Sequence, residues 1–91
     1  MIVARHLFIS GRVQGVGYRY FAQRSAARHQ VLGFVRNLDD GRVEAWVEGS
    51  VESVDAFRDD MAAGPVYSAI ESVEELVVDP VGLYSTFRIE R

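Results

Sequence analysis

The stretch GRVQGVGYR, Gly11–Arg19, sets three glycines and two arginines between a strand-like segment and a helix-like one. Before it, Val3, Leu7 and Ile9 fall on one side and Ala4, His6 and Phe8 on the other, the alternation of a half-buried strand over Val3 to Ser10. After it, Tyr18, Phe21, Ala22, Ser25, Ala26 and His29 recur at helical spacing. That spacing predicts an amphipathic helix from Tyr18 to about Gln30 with a small-residue face. Glycines at such a junction adopt backbone angles closed to other residues, so consecutive N–H groups can converge on one point. A helix starting near Tyr18 aims its free N–H groups and positive dipole end at the same point. Arg19, in the first turn, can donate two parallel hydrogen bonds to a phosphate. The stretch therefore has the make-up of a cradle for a small phosphoryl group. Neither GxxxxGK[ST] nor GxGxxG is present, and no acidic residue stands at the usual ribose position, so a nucleotide is not the expected ligand.

Working outward, Val31 to Asn37 reads as a second strand, LDDG as a turn, and Arg42 to Glu48 as a third strand that alternates Val43, Ala45 and Val47 against Glu44, Trp46 and Glu48. Ser50 is placed to cap a second helix carrying Val51, Val54, Phe57 and Met61 on one face, and Gly64 with Pro65 ends it. A strand from about Ile70 to Val78, a DPVG turn and a short strand from Ser85 to Arg91 complete the chain. This order predicts an α+β, ferredoxin-like split βαβ sandwich: βαββαβ plus a short C-terminal strand, an antiparallel sheet with two helices on one face. Residues 1–91 form a single domain, since a chain of this size buries only about 60 to 65% of its unfolded surface in one modest core. The helical crossover makes the second strand parallel to the first, so Asn37 is expected at the same edge as Arg19.

Ten basic residues against thirteen acidic ones give a net charge of -3, which argues against a general nucleic-acid binder. Arg12, Arg19, Arg36 and Arg42 still fall in or near loops that can share one end of the sheet. No cysteine is present, which excludes disulfides, thiolate metal sites and cysteine nucleophiles. His6 and His29 have no ligand spacing to each other or to carboxylates, so structural roles are expected for both and no metal is expected. No segment approaches a membrane span or a leader, and a cytoplasmic location is the expectation. Phe8, Tyr20, Phe34 and Trp46 raise the alternative of a base-stacking sheet face, but the basic aromatic pattern of such modules is missing. Taken singly, Asn37 also fits a residue capping its own turn, and Arg19 a surface charge on a helix.

Taken together, the motifs resemble those of the acylphosphatases. GRVQGVGYR resembles that family's signature loop, GFVRN (Gly33–Asn37) its second signature, and DDGRVE (Asp39–Glu44) the stretch that follows. Gly64-Pro65 and a closing FxI at Phe87–Ile89 also fit, so the resemblance spans essentially the whole chain. By resemblance, Arg19 matches the phosphate-binding arginine, Asn37 the asparagine that positions the attacking water, and the backbone of Gln14, Gly15, Val16, Gly17 and Tyr18 the phosphate cradle. With the charge and hydropathy given above, the expectation is a monomer with no cofactor and no nucleic-acid or membrane partner, although no sequence pattern reads out the oligomeric state. The reaction that the resemblance implies is hydrolysis of the carboxyl–phosphate bond of small acyl phosphates to carboxylate and inorganic phosphate. The alternative is a non-catalytic ferredoxin-like anion-binding or regulatory module; loss of an acyl phosphate on incubation with the protein separates the two.

Overall fold

In a computed structural model describing the whole chain, Met1–Arg91, the elements run β1 (Ile2–Arg12), α1 (Tyr18–His29), β2 (Leu32–Asn37), β3 (Val43–Ser50), α2 (Val51–Ala63), β4 (Ala69–Val78) and β5 (Phe87–Glu90). They build one five-stranded sheet in the order β4-β1-β3-β2-β5. β3 lies between β1 and β2 and is antiparallel to both, with Ile9 and Asn37 each opposite Val43. β1 and β2 therefore point the same way, and both end beside the start of β3.

The expectation of an antiparallel sheet holds for β1 to β4 and is corrected at β5, which pairs parallel to β2 and makes the sheet mixed. The reason is geometric. β4 ends at the edge where β1 begins, with Val78 opposite Ala4, and Gly33, near the start of β2, pairs with Phe87, the first residue of β5. The connecting segment stays at that end of the sheet, held there by the Glu48 carboxylate, which accepts from the N–H groups of Val81 and Gly82 at 2.9 and 3.2 Å. A strand that starts where β2 starts must run alongside it. This direction delivers Glu90 to the end where β1 and β2 finish, since Arg36 pairs with Glu90.

Both helices lie on one face. Leu7, Ile9, Val35, Ala45 and Val47 of the sheet pack in one buried cluster with Ala22 and Ala26 of α1 and Val54, Phe57 and Met61 of α2. Ser50 caps α2 as its sequence position suggests, its hydroxyl accepting from the Ser53 N–H at 3.2 Å. The helices are tied to each other through Asp60 of α2, whose Oδ2 accepts from Ser25, Arg28 and His29 of α1 at 2.7, 2.8 and 3.1 Å. The opposite face carries a polar and aromatic layer. There Glu44 is bound by His6 at 2.6 Å and by Arg36, and His6 packs against the rings of Phe8 and Trp46. Both histidines thus hydrogen-bond to a carboxylate, His6 to Glu44 and His29 to Asp60. No helix is long and apolar enough to cross a membrane.

Burial alone raises the pKa of Asp60, Glu44 and Glu48, but the hydrogen bonds each accepts outweigh it and hold all three below their ordinary values of 3.8 and 4.5. A carboxylate with a depressed folded pKa stabilises the fold above its unfolded value, and that contribution is lost as pH falls through the lower folded value. The thermal midpoint should therefore stay level from about pH 7 to about pH 5 and fall below about pH 4.5, with Asp60→Asn lowering the neutral midpoint and flattening the acid limb. A midpoint that stays level into strong acid would contradict this.

Candidate active site

Between the β1–α1 connection and the end of β2 lies a cleft of about 130 Å³, lined by Val13, Gly15, Gly17, Tyr18, Arg19, Tyr20 and Asn37. Pockets for drug-sized molecules run about 300–1,000 Å³, so this one suits a single small group. A larger groove of about 510 Å³ lies at the opposite end of the sheet, between the end of α1 and the start of β5, and no charged side chain lines it. It has no cation to set against an anion, as the smaller cleft has in Arg19.

Gly15 and Gly17 take left-handed backbone angles, φ 75° and 78°. No atom stands within 4 Å of where a Cβ would sit at either position, so glycine is required there for conformation rather than clearance. Gly17 is the N-cap of α1 and brings no capping side chain, and the first turn carries no acidic residue. In consequence the N–H groups from Gly15 to Tyr20 find no acceptor within the chain. Orphan donors at a helix start are normally met by a cap, by water or by a ligand, and left open they form an anion site. The third glycine of the motif has another role. Gly11 lies within β1 where pairing with β4 slips, and a Cβ there would run into the Ala69 carbonyl.

Arg19 is half-buried, and its Nη1 donates to the Glu90 carbonyl at 3.3 Å. Arg5, Arg28, Arg36, Arg42, Arg58 and Arg88 each meet a carboxylate; Arg19 meets none. A guanidinium carries five N–H donors in a fixed fork, so most of its donors remain free for an anion in the cleft. Asn37, the last residue of β2, contributes a side-chain oxygen that is buried and has no donor. Buried polar atoms are ordinarily satisfied, so this oxygen is a vacant acceptor in the same cleft as a free cation and a row of free amides. Of the expected cradle residues, Gly15, Gly17 and Tyr18 line the cleft, whereas Gln14 and Val16 do not.

The family model for acylphosphatases matches residues 5–89. The chain belongs to the acylphosphatase family. The acylphosphatase of Bacillus velezensis is 44% identical over 84 residues, covering 92% of this chain and 93% of the relative. That of Chloroflexus aurantiacus is 43% identical over 88 residues, covering 97% and 96%. The crystal structure of the acylphosphatase from Bacillus subtilis superposes with a TM-score of 0.94 at 32% identity over 100% of both chains.

In this chain, groups that the sequence reading does not single out also surround the site. Glu90 reaches Arg19 only because β5 is parallel to β2, a direction no local pattern encodes. Tyr20, 66% exposed, stands at the cleft mouth. The Tyr18 side chain points into the core, where its hydroxyl donates to the Met61 carbonyl at 2.7 Å and burial pushes its pKa up. Met61 needs that donor because Pro65, four residues on, has no N–H to complete the helical bond. Tyr18→Phe should remove about 1–2 kcal/mol and lower the thermal midpoint by about 5–10 °C; an unchanged midpoint would contradict the role of this bond in seating the start of α1.

Proposed function

We propose that the cleft hydrolyses small acyl phosphates by attack of water at phosphorus. The amides from Gly15 to Tyr20 and the Arg19 guanidinium hold the phosphoryl oxygens, and Asn37 Oδ1 accepts a hydrogen bond from the attacking water. The observation that carries this reading is the unpartnered Asn37 oxygen beside a cation with no carboxylate. An anion satisfies the cation and the amides, and a water satisfies the oxygen.

The chemistry asks little more. As the water oxygen bonds to phosphorus, the bond from phosphorus to the acyl oxygen breaks and its electron pair leaves on the carboxylate. A carboxylate is a weakly basic leaving group and needs no general acid. The charge that spreads over the phosphoryl oxygens is met by donors already in place, which need no reorganisation as the bond breaks. The water's proton passes to a phosphoryl oxygen. Asn37 fixes the direction of attack without taking a proton, so its contribution is alignment.

Arg19→Ala should lower kcat/KM for benzoyl phosphate by about 10³-fold or more and weaken inhibition by inorganic phosphate. Arg19→Lys should recover little, because an ammonium offers charge without the planar fork. Asn37→Ala should lower kcat by about 10²-fold with the phosphate inhibition constant nearly unchanged. No histidine lines the cleft, so kcat/KM should show no histidine inflection between about pH 6 and 8. A kcat unaffected by Asn37→Ala, or a bell-shaped profile lost on replacing either histidine, would overturn this reading.

A further inference from the structure

The Gln14 carboxamide occupies a place that the cradle itself does not account for. Its Nε2 donates to the carbonyl oxygens of Leu38 at 2.8 Å and Arg42 at 3.0 Å. These two residues frame the turn between β2 and β3, where Leu38 N–H also donates to Arg42 and Gly41 N–H to Leu38. Leu38 directly follows Asn37. Gln14 directly precedes Gly15, the first residue of the free amide row.

The two halves of the site have no other such tie. β1 and β2 are not neighbours, because β3 separates them by about two strand spacings, or roughly 10 Å. The last pairing between β1 and β3 is Ile9 with Val43, so the chain from Ser10 onward has left β3 before the cradle begins. No hydrogen bond other than those of Gln14 joins residues 13–20 to residues 37–43. One carboxamide thus spans the gap between the segment that presents the amides and the segment that presents the vacant oxygen.

We infer that Gln14 is a positioning residue: it sets the distance and angle between the bound phosphoryl group and the water on Asn37, an inference that rests on assigning that water to Asn37. Phosphate affinity depends on the amides and Arg19, to which the Gln14 side chain makes no hydrogen bond. The rate of attack depends on alignment across the gap, where a displacement of about 1 Å is enough to lower rates about 10²-fold.

Gln14→Met keeps the length and flexibility of the side chain and removes its donors. Its kcat for benzoyl phosphate should fall about 10- to 100-fold while the inhibition constant for inorganic phosphate moves less than about threefold. In an Asn37→Ala background the same substitution should lower kcat by less than about threefold, since the water it aligns is no longer held. The inference is overturned by a Gln14→Met kcat equal to wild type, by phosphate affinity falling in step with kcat, or by the full loss persisting without Asn37. A wild-type kcat in Asn37→Ala alone would instead bring down the assignment of the water. Should Gln14→Met not fold, the wild-type protein decides: slow solvent exchange of the Gln14 Nε2 protons supports the tie, and exchange as fast as in a free glutamine removes it.

Discussion

Because α1 crosses from β1 to β2, the two strands run in one direction and finish at one end of the sheet, and the whole site depends on that coincidence. β3 enters between them from the opposite direction, so its start lies where they stop. The gap beyond Val43 is left to the connection that follows β1 and to the residue that ends β2. A crossover of the same length joining strands of opposite sense would leave Arg19 and Asn37 at opposite ends of the domain. β5 extends the same logic, since its parallel pairing carries the Glu90 carbonyl to Arg19.

What the fold places in that gap is a set of polar groups whose hydrogen-bonding capacity is not filled, in contrast to the carboxylates buried elsewhere in the molecule. The buried or half-buried carboxylates Glu44, Glu48 and Asp60 are each bound by several donors, whereas the cleft collects a guanidinium, a row of amides and one carboxamide oxygen with vacancies. Donors and an acceptor left open side by side suit a pair of ligands, an anion and a water, better than either alone. A net charge of -3 over the whole chain does not oppose this, because the interaction is decided within a few ångströms and more distant charges are screened by salt.

The glycine-rich connection, the small-residue face of α1 and the Ser50 cap were legible in the sequence because each follows from backbone preference or from helical periodicity, and the placement of Asn37 beside Arg19 because a helical crossover makes β2 parallel to β1. The direction of β5 was not, since its parallel pairing depends on where the segment after Val78 lies rather than on any pattern within Phe87–Glu90. Gly11 matched the motif by type and differs in role, serving a bulge against Ala69 instead of the cradle. The side-chain bonds of Gln14 and Tyr18 were hidden for another reason. Their partners are backbone carbonyls far along the chain, at Leu38, Arg42 and Met61, and every residue type has a carbonyl to offer.

The central claim is that the free amides and the Arg19 guanidinium form one anion site that shares its cleft with Asn37. Titrating ¹⁵N-labelled protein with inorganic phosphate and following the backbone and side-chain resonances tests it directly. The account predicts that the largest, saturable shifts fall on the amides of Gly15 to Tyr20 and on the Arg19 and Asn37 side chains. Saturable shifts centred on the larger groove between α1 and β5, with the loop amides unmoved, would contradict it.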